Sequence, residues 1–409
     1  MSGQVSAAGD IKYHEVLIDG QNITQFVAVT QIFQDIFTPF WSAQIMFADT
    51  QNMVMNLPIK PGAKVDITVE SDFPKSQAGR KKFTFFLYKI SDREAQKQDT
   101  QMYVLHCVSE QFWNNQKTRV SKAFSNQKPD AIVNELVGNM GGSIEEADKD
   151  PTQYDVLIPN WSPVNAIEWV TKFAKSPTGG ADFLFYQSDT GKFKFRSLEK
   201  MMKDRSGVEF LQTNPNTREN SNKEDEETYF NIERYEFIHQ HDAVRNFQTG
   251  YYGNRLITHD IISKSITQTD FTYGDDIPDD AEKKPFDSPL FEGAHDTSIT
   301  YYPVHPTIRD GLTPEETSSN WVGSRKTNVM KLEENRLIAQ VNGFGKMWEL
   351  LGKSVNIKLP SHQDLDEGQL DDKYFKGDYV VTAIKHAISH GKYRVVLELA
   401  KKRLDKPYE

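Results

Sequence analysis

One strand pattern occurs twice in this chain, once near each end, and it constrains the fold more than any other feature. The sequence GAKVDITVES at residues 62–71 returns in altered form as GKSVNIKLPS at residues 352–361. In both copies a polar loop and an apolar strand follow, and a last strand begins at Tyr103 or at Tyr393, at the same spacing. The duplication predicts two similar small β-barrels, although the internal loops differ in length. Such a repeat favours a ring in which few subunits present twice as many similar faces, and therefore a role in assembly rather than catalysis.

Length and composition limit the remaining classes of protein. At 409 residues the chain is too long for one core, and 37% hydrophobic residues suffice for several packed domains. The net charge of −10 argues against nucleic-acid binding as the main task, because phosphate contacts need concentrated lysine and arginine. No apolar run approaches the roughly 20 residues of a spanning helix, and the amino terminus lacks a signal-peptide pattern. We therefore expect a soluble protein, made in a cytoplasm, with no membrane-spanning segment.

The sequence offers no group suited to catalysis or metal binding. The single cysteine, Cys107, lies in a strand-like run, where a buried small hydrophobe is favoured over a nucleophile. His386 and His390 have the spacing of helical metal ligands, but Gly391 and the flanking strand patterns predict a hairpin, in which that spacing does not bring the side chains together. Nucleophile elbows, phosphate-binding loops and His-Glu-x-x-His are missing. We predict no catalytic residue, no cofactor and no metal site.

The first half of the chain divides into a β and an α+β segment. Residues 1–110 carry six short strand patterns separated by turns and are predicted to form the first tube-type β-barrel. Residues 111–204 are predicted to form an α+β middle domain. In it Pro129 begins one apolar helical stripe and Pro163 begins another, and an aromatic hairpin follows at residues 182–196.

The second half of the chain has one irregular and one regular segment. Residues 205–335 are predicted to bridge the middle domain and the second barrel, through a polar linker, some strands and a surface excursion rich in proline and acids at residues 272–320. Residues 336–409 are predicted to form the second tube-type β-barrel and a tail. The expected fold class is α+β but mainly β, with two similar barrels and an inserted α+β domain.

The polar loops that follow the repeated strand carry opposite net charges. The loop after residue 71 is basic, and the loop after residue 361 is acidic. If barrels alternate around a ring, loops of opposite sign could fix their order, since electrostatic complementarity gives specificity. Independent solvated loops are the competing interpretation. The candidate interface residues are Lys75, Arg80, Lys81, Asp364, Asp366 and Glu367.

Patterns over most of the chain resemble the baseplate hub proteins of contractile phage tails and related injection systems, a family related to the amino-terminal region of valine-glycine repeat spike proteins. The resemblance lies in several segments rather than in one motif. These segments are residues 36–49, 57–67, 109–112, 119–124, 129–137, 158–174, 352–355 and 376–383.

The resemblance implies a homotrimer whose six barrels form a pseudo-sixfold ring. One side of the ring would receive the tail tube protein and the other the trimeric central spike protein, beside other baseplate proteins. It also implies a virion component without enzymatic activity. The net acidic charge is compatible with a lumen through which DNA could pass without specific binding, which is a hypothesis.

A second class of function fits the β-rich pattern as well. A receptor- or carbohydrate-binding tail protein, or a carbohydrate-active one, would expose aromatic side chains such as Tyr301, Tyr302 or Trp321 on a concave face. Ordinary packing is the competing interpretation of these aromatic residues.

Overall fold

The structure is a computed structural model that describes most of the chain. The described residues are 9–50, 59–71, 79–97, 100–176, 181–212, 230–240, 242–261, 263–272, 294–303, 332, 335–361, 372 and 374–401.

The first part of the chain is β-structure, and all six predicted strands are present. The two-residue strand β2 adds a seventh, because Asp19 and Gly20 both adopt positive φ and form a tight hairpin turn. The strands are β1 (Tyr13–Ile18), β2 (Gln21–Asn22), β3 (Val27–Asp35), β4 (Ser42–Asp49), β5 (Lys64–Ser71), β6 (Gly79–Lys97) and β7 (Thr100–Val108).

The middle part combines short helices with small sheets. Both predicted helices begin at their prolines, and in the second the Ser162 hydroxyl accepts a hydrogen bond from the backbone N–H of Asn165. The predicted aromatic hairpin is β11 and β12. The elements are α1 (Glu110–Lys117), β8 (Val120–Gln127), α2 (Pro129–Asn139), β9 (Ile144–Ala147), β10 (Tyr154–Trp161), α3 (Pro163–Phe173), β11 (Phe183–Gln187), β12 (Phe193–Ser197) and α4 (Leu198–Lys203).

The last part is again mainly β. Strands β15, β16 and β17 form a small separate sheet, with β15 central. The elements are β13 (Arg205–Leu211), β14 (Ile232–Gln240), α5 (Ala243–Thr249), β15 (Gly253–Asp260), β16 (Ser265–Thr272), β17 (Ile299–Pro303), β18 (Asn335–Asn342), β19 (Ser354–Lys358), β20 (Gly377–Ser389) and β21 (Lys392–Lys401).

Thirteen strands from both ends of the chain join in one large sheet. Its main path is β14-β18-β21-β20-β3-β4-β7-β6-β5-β1-β2, and β19 pairs with both β20 and β13. The early and late strands meet at β3 and β20. A parallel bridge between Leu211 and Asn231 also links β13 to β14. The structure is therefore mainly β with large antiparallel sheets, as predicted.

The early and late strands follow the same order within this sheet. The early set runs β1-β5-β6-β7-β4-β3 and the late set runs β13-β19-β20-β21-β18-β14. Val65 in β5 and Val355 in β19 occupy matching positions, opposite Phe85 and Tyr379. The sets differ in their first pair, because β1 is antiparallel to β5 whereas β13 is parallel to β19.

Two β-bulges recur at matching places in both sets. The β6–β7 ladder skips one residue between Leu87 and Lys89, and the β20–β21 ladder skips one between Val381 and Ala383. The ladders of β3 with β4 and of β14 with β18 likewise share a bulge near their starts. Bulges interrupt pairing at defined places, so their shared positions support a common origin for the two sets.

The bulges correct one detail of the predicted repeat. Matching the ladders places Tyr103 level with Val395, so the expected alignment of Tyr103 with Tyr393 is wrong by two residues. The connection before β20 is longer than its counterpart and the β20–β21 hairpin is shorter, and these differences do not cancel. Both tyrosines remain on the buried face, because a shift of two residues keeps a strand's facing.

Two hydrophobic cores hold the described residues together. One is continuous through the large sheet, from Ile11 to Ala400, and contains residues of both strand sets. The other belongs to the middle part, from Val120 to Phe195. Cys107 is fully buried in the first core, where burial raises the pKa of its thiol to about 12, as expected for a small hydrophobe.

Candidate assembly surfaces

The two strand sets are joined by an antiparallel seam between β3 and β20. The seam runs from Asp35 opposite Ala383 to Val29 opposite Ser389. The first half of β20 pairs instead with β19, so this long strand serves one neighbour with each half. The seam shows how the two strand sets of one chain pair edge to edge.

A buried polar network ties the inner face of this seam. His386 of β20 is fully buried and hydrogen-bonds Gln34 of β3 through Nε2 at 2.9 Å and Tyr393 of β21 through Nδ1 at 2.7 Å. Gln34 donates its own amide N–H to the carbonyl oxygen of Trp348 at 3.2 Å, so its Oε1 faces the imidazole and can only accept. His386 Nε2 therefore carries the proton, and Nδ1 accepts from the Tyr393 hydroxyl.

Burial fixes the charge state of this network. Desolvation lowers the pKa of His386 well below its ordinary value, because the charged imidazolium would lose its water without gaining a carboxylate partner. It likewise raises the pKa of Tyr393 well above the ordinary value. The seam therefore holds a neutral histidine. The burial of His386 could have been inferred from the sequence, because His386 alternates with Ile384 and Ile388, which are buried on the same side of β20.

A column of rings extends the network across the core. Trp348 stacks on His386 with ring centroids 3.7 Å apart and on Tyr393 at 5.6 Å. Trp348 also meets Phe83 of β6 at 4.6 Å, and Phe83 meets Trp41 at 5.5 Å. Rings from the early and late strand sets thus pack against one another, and this packing helps to fix the position of one set relative to the other.

The middle part attaches to the large sheet through Trp41 and the β11–β12 hairpin. The Trp41 indole N–H donates to the carbonyl oxygen of Gln187 at 2.8 Å, and its backbone N–H donates to the Gln187 side chain at 3.2 Å. A cleft of about 270 Å³ opens beside this contact, lined by Phe85, Glu110 and Asp189 among others. The cleft lies between the middle part and the early strand set.

A second attachment joins the middle part to the late strands at Gly352. This glycine has φ +70°, and a Cβ at this position would overlap the hydroxyl of Tyr186 in β11. Nearby, buried Arg196 donates from Nη1 to Asp204 at 2.7 Å and lies 4.0 Å from Asp148. The first glycine of the second repeat copy thus contacts the hydroxyl of Tyr186 in the middle part, where a larger residue would not fit.

Two of the six predicted interface residues lie among the described residues, and both make contacts within the chain. The Arg80 guanidinium lies over the ring of Tyr13 at 4.4 Å. Lys81 pairs with Asp189 of the middle part at 2.7 Å and lies 3.7 Å from Glu349, which precedes β19. Lys81 therefore touches all three parts of the chain. The remaining four, Lys75, Asp364, Asp366 and Glu367, lie outside the described residues, as does most of the predicted excursion at 272–320.

The small sheet of β15, β16 and β17 exposes three large apolar side chains on one face. Ile266, Ile299 and Tyr301 are more than half exposed there. The neighbouring Tyr302 is partly buried, which raises the pKa of its phenol to about 12. Trp321, the third aromatic residue considered for ligand binding, lies outside the described residues.

Within the described part of the chain, no three histidine, cysteine, aspartate or glutamate side chains come together as metal ligands would. Likewise, none of the helices described has the length and apolarity to cross a bilayer.

Comparison with solved structures identifies the fold. The 43 kDa tail protein of prophage MuSo2 from Shewanella oneidensis matches with a TM-score of 0.57 at 12% identity, covering 95% of this chain and 98% of that chain. A tail protein from Neisseria meningitidis MC58 matches with a TM-score of 0.55 at 9% identity, covering 95% and 96%. No protein-family model and no curated protein sequence matches. At these identities the likeness establishes a shared fold, so the chain has the fold of phage tail proteins over nearly its whole length.

Proposed function

We propose that this chain is a structural hub component of a contractile-tail baseplate. In this proposal each strand set is one small β-barrel, and three copies place six barrels in a pseudo-sixfold ring. The observation that carries it is the shared strand order and shared bulges of the two sets, since a doubled unit lets threefold copies match a sixfold partner. The fold of full-length phage tail proteins supports the same role.

The proposed partners follow from this geometry. The hub would join the sixfold tail tube protein to the threefold central spike protein within the virion tail, in contact with other baseplate proteins. It would be a trimeric adaptor without an enzymatic step, assembled in the host cytoplasm. The net charge of −10 suits a lumen that lets DNA slide without sticking.

The mass and shape of the purified protein test this function. Light scattering should give about three times the chain mass of 46.9 kDa, and negative-stain microscopy should show a ring with a central hole. A protein that stays monomeric up to high concentration and shows no annular particles would overturn the proposal.

A receptor- or carbohydrate-binding tail protein is the second candidate. The exposed side chains of Ile266 on β16 and of Ile299 and Tyr301 on β17 favour it, because exposed aromatic rings are common anchors for ligands. In that case Tyr301→Ala should abolish binding to host cells or glycan arrays and leave the oligomeric state unchanged. If Tyr301→Ala instead disrupts the annular oligomer and leaves binding intact, the hub function is favoured.

A further inference from the structure

The inner seam shows how a strand of one set receives a strand of the other. Residues Gly377–Val380 at the start of β20 pair with β19, and residues Ala383–Ser389 pair with β3 along the same edge. At this seam Ile384 is only 1% exposed. Lys385 lies opposite Phe33, with its ammonium 5.9 Å from the ring.

Strand β6 is the counterpart of β20 and is divided in the same way. Its first half, from Gly79 to Phe86, pairs with β5, and its second half pairs with β7 on one edge. No described strand covers the other edge of this second half. Ile90, the counterpart of Ile384, is 36% exposed, and the adjacent Tyr88 is 40% exposed. The edge that is covered in the late set is therefore open in the early set.

Strand β14 is the counterpart of β3. Both carry a bulge near the start, between Val27 and Val29 in β3 and between Ile232 and Arg234 in β14. One edge of β14 pairs with β18. On the other edge β13 reaches only Asn231, just before the strand, and no described strand pairs with residues 232–240. The described residues thus include an open edge on β6 and one on β14, and each is the counterpart of one partner in the inner seam.

We propose that the second half of β6 pairs antiparallel with β14 of a second copy of this chain. The inner seam supplies the register. In the inner seam Lys385 lies opposite Phe33, and their counterparts are Ser91 in β6 and Ile238 in β14. Ser91 should therefore lie opposite Ile238 or opposite the next residue, because Ile238 is the extra residue of a second bulge in β14. An open edge of this length is a template for strand addition, and a matching edge of the same molecule is its natural partner.

This pairing is a heterologous contact, because each copy contributes one edge of each kind. Heterologous contacts continue from copy to copy until a ring closes or a filament grows. The inference deepens the proposed function and rests on it, since closure at three copies gives the six-barrel ring. It adds which strands form the joint and in which register.

Engineered disulfides test the register directly. Residues opposite each other in an antiparallel pair have Cα atoms about 4.5–5.5 Å apart, within disulfide reach. Ser91→Cys combined with Ile238→Cys, or with His239→Cys, should convert most of the protein into covalent dimers and trimers under mild oxidation by diamide. Ser91→Cys with Glu233→Cys is the matched control, because five strand residues separate Glu233 from Ile238 by about 17 Å. A mixture of the two single variants should stop at dimers.

The outcomes separate the strand pairing from the trimer. Trimers by light scattering that give no product with either cysteine pair would overturn the pairing and leave the hub proposal intact. Products that extend far beyond three chains would support the pairing and overturn the closed trimer. Monomers at every concentration without any cross-linked product would overturn both. Thermal unfolding of each variant establishes that it is folded.

Discussion

Trp348 and His386 stack with ring centroids 3.7 Å apart and planes tilted by only 19°. The indole belongs to a short 3-10 helix before β19, and the imidazole belongs to the strand that joins the early strand set. Because His386 is also hydrogen-bonded on both nitrogens, it has the geometry of a neutral ring held by packing. The seam between the two sets consequently depends on the protonation state of one side chain.

Mild acid should destabilise the protein through the fully buried His386 and the partly buried His14. Burial lowers the pKa of His386 well below its ordinary value and that of His14 to about 4. The unfolded chain therefore takes up protons below about pH 6.5 while the folded chain does not. The free energy of unfolding should fall as pH decreases, by up to about 1.4 kcal/mol per pH unit for each histidine.

Urea unfolding between pH 7.5 and pH 5 measures this slope. His386→Gln should flatten it, whatever its effect on stability at neutral pH. His390→Gln is the control, because His390 lies exposed at the β20–β21 turn. A wild-type slope retained by His386→Gln would contradict the assignment.

The first glycines of the two repeat copies should respond unequally to alanine. Both have left-handed φ, +85° at Gly62 and +70° at Gly352, so Ala costs roughly 1–2 kcal/mol at either position. At Gly62 the new methyl group would meet no described atom within 4 Å, whereas at Gly352 it would overlap the Tyr186 hydroxyl. We expect Gly352→Ala to be clearly the more destabilising by chemical denaturation. Adding Tyr186→Phe should restore part of the loss, and equal losses at the two glycines would argue against the close contact.

Removing a buried cation should cost more than removing an exposed one. Arg196 is 4% exposed and pairs with Asp204, while Glu146 and Asp148 lie close to the same guanidinium. Arg196→Met removes the charged hydrogen bond to Asp204 and the ion pair with Glu146, both partly exposed, while the buried Asp148 keeps its pair with Lys200, so we expect a cost of about 1.5–3 kcal/mol.

An exposed pair gives the matched control for this change. Arg205 pairs with Asp378 at 2.6 Å, but its side chain is 76% exposed. Arg205→Met should therefore cost less than about 1 kcal/mol. The two variants are compared by urea denaturation, and similar losses would mean that the Arg196 cluster is solvated.

Reversing the basic loop charges should disturb assembly if those charges order the barrels. Lys75→Glu, Arg80→Glu and Lys81→Glu together are expected to reduce the trimer fraction measured by light scattering. Reversing Asp364, Asp366 and Glu367 to lysine in the same chain should restore it. Since Lys81 also pairs with Asp189 inside the chain, Asp189→Lys alone is the control for that contact. An unchanged trimer fraction in the triple variant would refute the loop hypothesis.

Local patterns in the sequence predicted local structure well. The six early strands, the two proline-started helices and the aromatic hairpin depend on alternation, helical periodicity and turn residues, which neighbouring residues specify. The equivalence of Val65 and Val355 was visible for the same reason. The two-residue error at Tyr393 arose because bulges and loop lengths are set by pairing partners, which single-strand patterns do not encode.

The contacts between distant segments could not be predicted from these patterns. The parallel pairing of β13 with β19 joins residues of two different predicted segments. The placement of Lys81 against Asp189 depends on where the inserted part docks. Such contacts arise from tertiary packing, which decides among many arrangements of equally plausible strands.

The seam has a consequence for how a newly made chain reaches its native state. Gln34 and His386, which hydrogen-bond across it, are 352 positions apart in the chain. The ribosome therefore releases β3 long before its partner strand β20 is synthesised, and until then the edge of β3 can pair with other chains and aggregate. Translation speed and chaperone supply would then govern the yield of this protein as strongly as its final thermodynamic stability does.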